Sequence, residues 1–412
     1  MVWLIWLWSR QWASHKITSF GADLWWNQLF SGLVLTIGVV LGVLIMTSTW
    51  DFAIYGLVLA WVSFGVLCQD YRRWLLLIAM GIVMVAVALI TSSPWWLHFD
   101  SISQGVKLAY DHSPLWQLAV LWLPHLSFVA LSLGFAVRKW QQLAKTPRGS
   151  HSIKLEQQST LLLITALALS AVTLLILPEL IFVKDIYPNH PRANTMFKLT
   201  FQAFILMGLV IAWGSGQIMA LLNRSASTQK SVSKTWLVGL GLALGLGVFV
   251  VGVGIYPYFG YRDYYGAFKT HYGLDGLQWL KVQAPDDFEA LNWLKQTTHG
   301  RPVVLEAVGE SYTTYARVST FTGLPTVLGW RVHEWLWRGG FEIPGQRTEE
   351  VRKIYETPNL PESKTLLAQY QVKYIFVGSL EREAYVNLDL KGLENLGPVV
   401  FRSHETEIIQ VD

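Results

Sequence analysis

Long apolar runs separated by short polar breaks fill residues 30–260 of the chain. A helix needs about 20 mostly apolar residues to cross a bilayer. Runs at roughly 30–50, 52–68, 74–97, 114–136, 158–183, 196–222 and 236–259 predict seven such helices, the second short at its strict apolar length. The apolar stretch Val2–Trp8 is too short to span, and no small-residue cleavage site follows it. It reads as an interfacial segment, or as the remainder of a longer N-terminal region. From about 270 the apolar runs shorten and charge rises. Pro285, Asp286 and Asp287 suit a first helical turn, and Phe288, Leu291 and Leu294 give that helix an apolar stripe. Pro302–Val308 reads as a buried strand after Gly300, Ser363–Tyr370 as a helix and Lys373–Gly378 as a strand, with short strands near 398–402 and 406–411. Helix-then-strand repeats predict a small α/β sheet domain.

The expected fold is therefore a polytopic α-helical membrane protein of about seven spans with a C-terminal extracytoplasmic α/β domain. Its expected parts are an interfacial segment over 1–29, a transmembrane helical domain over 30–260 and a soluble α/β domain over 270–412. Composition agrees: 52% of residues are hydrophobic and 15% charged, against roughly a quarter charged in soluble domains. The 21 Trp suit membrane interfaces. A net charge of +4, spread over short loops, argues against a nucleic-acid surface. The one cysteine, Cys68, allows no internal disulfide and reads as a small buried hydrophobe.

Charge in the loops predicts orientation. Arg10 and Lys16, then Arg72 and Arg73, then the cations between Arg138 and Lys154, then Arg224, Lys230 and Lys234 all fall on one side of a seven-span chain. That side is expected to be cytoplasmic in an inner or plasma membrane, which puts the tail outside. Asp51, Asp100, Asp111, Glu179 and Asp185 then sort to the outer mouth. Acids beside spans are costly, so Asp51, Glu179 and Asp185 are catalytic candidates, with solvated helix ends as the alternative.

The junction between the fifth and sixth spans reads P-E-L-I-F-V-K-D-I-Y-P-N-H-P-R-A-N-T-M-F-K-L-T-F-Q from Pro178 to Gln202. Pro188 and Pro191 break the helix, and Asn194 and Thr195 are expected to cap the next one. Asn194, Lys198 and Gln202 share a helix face. Arg192, Asn194 and Lys198 are candidates for holding a phosphate or pyrophosphate at the mouth. The alternative is snorkelling cations paired with Glu179 and Asp185. In the tail, Gly309–Arg338 concentrates donors, acceptors and aromatic faces. Tyr312, Arg317, Trp330, His333, Glu334 and Arg338, with Glu306 just before the loop, are candidates for binding a sugar or lipid head group. A structural loop lying on the membrane surface explains the same composition.

The stretch P-E-L-I-F-V-K-D with R-A-N-T-M-F-K-L-T-F-Q resembles the signature of the YYY membrane proteins, which carry a domain of unknown function. T-S-T-W-D-F-A-I-Y (47–55), V-L-E-A-V-G-E-S-Y (304–312), R-V-S-T-F-T-G-L-P-T-V-L-G-W (317–330), H-E-W-L-W-R (333–338) and V-G-S-L-E-R (377–382) extend the resemblance over about 30–412. It implies kinship to the C-type integral membrane glycosyltransferases, which take sugar from a lipid-phosphate donor at the extracytoplasmic face. Members of the resembled family carry further spans and an acid- and His-bearing loop before the W-D motif. Residues 1–29 show no comparable loop. The chain is therefore expected to be the C-terminal part of a split or truncated protein, partnered by a separate polypeptide supplying those spans.

Two functions follow as expectations. One is a membrane glycosyltransferase, or its C-terminal portion, that takes a polyprenyl-phosphate sugar donor, with a mouth carboxylate as base or as ligand to a divalent cation. The other is a non-enzymatic scaffold or export subunit that binds glycan or membrane lipid. A transporter is disfavoured, because the spans carry no mid-depth charge and no inverted repeat. His125, after Pro124, reads as a packed, hydrogen-bonded histidine. No P-loop, dinucleotide fingerprint, zinc spacing or nucleophile elbow occurs.

Overall fold

Two glycines one helical turn apart set a close helix contact in the membrane part. A Cβ on Gly38 would stand 2.8 Å from Val87 Cβ, and one on Gly42 would stand 2.7 Å from the Ala88 carbonyl oxygen. Only glycine lets helices α3 (Gly32–Thr47) and α5 (Trp74–Trp96) approach this closely. The computed structural model describes residues 1–14, 22–99, 105–145, 151–184, 190–226, 234–269 and 273–411. The chain divides into two compact units, Met1–Gly260 and Tyr261–Asp412.

The first unit is a helix bundle. Besides α3 and α5 it contains α1 (Val2–Ser14), α2 (Ala22–Leu29), α4 (Thr49–Gln69), α6 (Leu115–Lys145), α7 (His151–Leu180), α8 (Ala193–Ala226) and α9 (Lys234–Tyr264). Among the described residues, seven helices are long and apolar enough to cross a membrane. They correspond to the seven predicted runs. The second, Thr49–Gln69, reaches 21 residues. Helix α7 is the most buried span, packed on α8, α4 and α6, whereas α9 is almost wholly exposed. The half-length α1 packs on α7 and α4, burying Ile5, Trp8 and Trp12. Ser9 Oγ donates to the carbonyls of Trp6 and Ser159.

At one end of the bundle Arg73 donates 2.8 Å to the Trp12 carbonyl, and Lys139 shares a cavity with Glu156. At the other end strand β1 (Val106–Leu108) pairs antiparallel with β2 (Ile181–Val183), which follows α7 directly. Helix α8 starts at Ala193, one residue before the expected caps. Thr195 lies inside the first turn, and its hydroxyl accepts from Val183 N at 3.0 Å, so it ties β2 to α8 instead of capping. His125 is packed as expected, edge-on against Phe249 at 5.0 Å and Phe204 at 5.5 Å.

The second unit is a mixed sheet between two helical layers. Its elements are α10 (Gln278–Gln283), α11 (Pro285–Thr297), β3 (Val303–Leu305), α12 (Arg317–Thr322), α13 (Arg331–Arg338), α14 (Glu342–Glu356), α15 (Pro361–Gln369), β4 (Val372–Val377), α16 (Ser379–Ala384), α17 (Leu390–Glu394), β5 (Val399–Ser403) and β6 (Thr406–Gln410). The sheet order is β3-β4-β6-β5, with β3 and β4 parallel and the other pairs antiparallel. Successive strand residues face opposite sides of a pleated sheet. Ile375, Val377 and Ile409 accordingly pack on Val351, Ile354 and Tyr355 of α14, while Phe376 and Ile408 pack on Leu291 and Leu294 of α11. The chain is thus a polytopic α-helical membrane protein with a C-terminal α/β domain.

Candidate functional site

In the first unit, the acid end of the bundle is held by one carboxylate. Glu179, at the end of α7, accepts from Ser113 N at 2.9 Å, Ser113 Oγ at 2.7 Å and Arg192 Nη1 at 2.9 Å. Arg192 also donates to the Pro178 carbonyl at 3.0 Å. Both side chains are largely buried. The contacts join the segment before α6 to the end of α7 and the start of α8. The Arg192–Glu179 pair is one of the pairings that the sequence left open for these residues. Arg192 nevertheless borders a polar cavity of about 200 Å³, together with Tyr110, Asp111, His190 and Met196.

Asp51 lies in the first turn of α4, half-buried, and accepts from Gln202 Nε2 at 3.0 Å. Gln202 stands one turn beyond Lys198 on α8, so the shared face legible in the sequence leads to Asp51. Lys198 is exposed, with its ammonium 5.6 Å from the Phe197 ring centre. Asn194 is half-buried in the first turn of α8. Asp185 lies outside the described residues. Beside Asp51, an apolar cavity of about 280 Å³ opens between α4, α7, α8 and the β1–β2 ribbon.

In the second unit, Glu306 and Arg317 are buried rather than presented to a ligand. Glu306 follows β3, and its carboxylate accepts from Val318 N at 2.8 Å and Ser319 N at 2.9 Å. It therefore satisfies the first amides of α12, a common use for an acid at the positive end of a helix. Burial pushes its carboxyl up to about 7, against the pull of those amides. Arg317 Nη1 lies 2.9 Å from Asp287, and Nη2 lies 3.2 Å from Glu381. Glu381 also accepts from the backbone of Ala307 and Gly378. Burial raises its carboxyl, and Arg317 opposes the rise. A Cβ on Gly378 would stand 2.4 Å from Asp287 Oδ1, so this position must be glycine for the cluster to close. The cluster sits past the C-terminal ends of the parallel strands β3 and β4, the side on which open α/β sheets commonly bind ligands.

The loop that leaves this cluster builds a cavity. Tyr312 and Ala316 hold φ of 62° and 60°, the left-handed region that non-glycine residues seldom occupy and that recurs at functional sites. The rings of Tyr312, Trp330 and His333 gather edge-on, with centres 4.9 Å apart for Tyr312–His333 and 5.3 Å for Trp330–His333. Trp330 Nε1 donates to the Tyr315 carbonyl at 2.7 Å, and His333 Nδ1 lies 2.8 Å from Ser311 Oγ. Trp330, His333, Glu334 and Trp337 line an open cavity of about 370 Å³ with Ala316 and with Thr320 of α12. Arg338 donates to Glu334 at 2.7 Å, leaving the acid's other oxygen toward Gly329. Thus Trp330, His333 and Glu334 converge, with Tyr312 and Arg338 adjoining them, while Glu306 and Arg317 support the loop from beneath.

A family model described as "Uncharacterized membrane protein (DUF2298)" matches residues 1–155 and 148–207. The chain belongs to this family. No curated protein matches it. The DUF2298 match contains Asp51, Glu179, Arg192, Lys198 and Gln202, so the acid end of the bundle lies in the family's own region. The aromatic cavity lies beyond the matched residues.

Sequence reasoning missed Asp287, Glu381 and Gln202. Asp287 reads locally as a helix-start acid, and nothing near it in sequence announces Arg317. Gln202 was visible only as a member of the Lys198 face. Among the described residues, no three His, Cys, Asp or Glu side chains are grouped to hold a metal ion.

Proposed function

We propose that this DUF2298 member is a membrane-embedded glycan-handling protein whose α/β unit binds sugar in the aromatic cavity. The observation that supports this best is the grouping of Tyr312, Trp330 and His333 at a cavity that Trp337 and Glu334 complete. Flat aromatic faces cover the apolar faces of sugar rings, and a carboxylate with a free oxygen accepts from sugar hydroxyls. The Lys/Arg-rich end of the bundle argues that the α/β unit works on the extracytoplasmic side.

The transferase form of this reading follows from the motif kinship with C-type glycosyltransferases, and one observation favours it. Of the two described mouth acids proposed as catalytic, Glu179 is held by Arg192 and Ser113, whereas Asp51 meets only the amide of Gln202 in the described hydrogen bonds. Asp51 would take the proton of an acceptor hydroxyl as sugar leaves its polyprenyl phosphate. Lys198 and Arg192 would attract the donor phosphate. Without catalysis the same cavity serves a scaffold or export subunit. The test is glycan-array binding by the full-length protein in nanodiscs, beside release of sugar from a polyprenyl-phosphate sugar by wild type and Asp51→Asn. Array binding without release supports the scaffold form, and release lost in Asp51→Asn supports the transferase. No binding to any glycan rejects the reading.

A further inference from the structure

The pair Asp51–Gln202 leaves one acceptor unspent. Gln202 turns its amide nitrogen to Asp51 Oδ1 at 3.0 Å, and its own Oε1 is buried with no hydrogen-bond partner among the described residues. Leaving a buried acceptor unmade is costly, more so where no water replaces the partner. A carboxylate and an amide oxygen side by side call for donors. A phosphate group offers acceptors and a charge of the same sign as Asp51, so it is a poor match here.

The surroundings supply the second half of the ligand. Trp50 and Ile54 of α4, next to Asp51 and one turn beyond it, line the apolar cavity with Leu174 and Leu177 of α7. Leu199, one turn before Gln202 on α8, lines it too, and Phe182 of β2 closes it. The cavity is almost purely apolar and lies among spanning helices, where an aliphatic chain is the available occupant.

We propose that this place binds an amphiphile with a neutral, hydroxylated head, an alkyl or prenyl glycoside in chemical class. Its chain fills the cavity, and one head-group hydroxyl donates to Gln202 Oε1 while another donates to the Asp51 carboxylate. The site is distinct from the aromatic cavity of the α/β unit; it rests on the proposed function only for the sugar class, and it shares Asp51 with the transferase form of that reading.

The experiment is photolabelling of the full-length protein in phosphatidylcholine nanodiscs. A decyl β-glucoside carrying a diazirine on its chain is the probe, and labelled peptides are mapped by mass spectrometry. Label is expected on the α4 and α7 segments that contain Trp50 and Leu177. Unlabelled decyl glucoside should compete at about tenfold lower concentration than decanol, the scale of one net hydrogen bond. Gln202→Leu should abolish that preference while decanol still competes, which shows that the cavity is intact. Gln202→Asn, which keeps both amide groups, should restore part of it. Trp337→Ala should leave the preference unchanged even if glycan binding by the α/β unit is lost or never existed, so the two readings fail separately. Equal competition by decanol and decyl glucoside in wild type overturns the proposal, as does an unchanged preference in Gln202→Leu.

Discussion

Arg317 Nη1 lies 2.9 Å from Asp287 Oδ2, and both side chains are almost wholly withdrawn from solvent. Such a pair stabilises little in itself, but removing one partner strands a buried charge and typically costs about 3–5 kcal/mol. Arg317→Met should therefore destabilise the α/β unit by that amount, with two carboxylates left unpaired. Pulse proteolysis read by mass spectrometry over 278–411 measures it. A loss below about 1 kcal/mol would mean that the cluster is hydrated in solution.

Glu306 makes stability depend on pH in a stated direction. Its carboxyl is raised from 4.5 to about 7 by burial, so the folded state holds its proton more tightly than the unfolded one. Its contribution is fully present below about pH 4.5 and is lost as pH rises through about 7, on the order of 3 kcal/mol in all. Hydrogen exchange at the Val318 and Ser319 amides should accelerate across that window beyond its intrinsic pH dependence. Glu306→Gln should flatten the excess. A flat wild-type profile would show that Glu306 stays ionised throughout.

The Glu179–Arg192 clasp predicts strong coupling. Arg192→Ala and Glu179→Ala should each destabilise the bundle by about 2–4 kcal/mol, and the double variant should cost little more than either single one. Lys198→Ala, at an exposed position, should leave stability within about 0.5 kcal/mol while weakening adsorption of a polyprenyl-phosphate lipid. Additive losses for Glu179 and Arg192 in a double-variant cycle would mean that the two act independently.

Much of this architecture is legible in the sequence because the signals are local. Seven apolar runs become seven long helices, and the strand Lys373–Gly378 is found at Val372–Val377. The helix expected from Pro285 runs as read. What escapes is chemistry made by distant pairs. Arg317 reads as a ligand-binding candidate until Asp287 and Glu381 meet it across the sheet end. Thr195 reads as a cap until Val183 takes its hydroxyl. Trp330, His333 and Glu334 stand out in the sequence only as members of the polar and aromatic stretch Gly309–Arg338, and the structure brings these three to one cavity. The twist at Tyr312 and Ala316 that shapes their cavity has no glycine to announce it.

Orientation is open to direct measurement. After Cys68→Ser, a cysteine at Glu156 should resist an impermeant maleimide in intact cells, and one at Thr313 should react. The motive is the cation-rich end of the bundle. Labelling at Glu156 and none at Thr313 would invert the arrangement.

Sugar binding at the aromatic cavity is tested most directly by calorimetric titration of a glycan selected on an array. The full-length protein, Tyr312→Ala, Trp337→Ala and Lys364→Ala would be compared. Tyr312 and Trp337 are exposed side chains, so their removal leaves the core intact. Each should weaken binding by about tenfold, the worth of one aromatic contact, while Lys364→Ala, outside the cavity, should change nothing. Unchanged affinity in both aromatic variants would contradict the account.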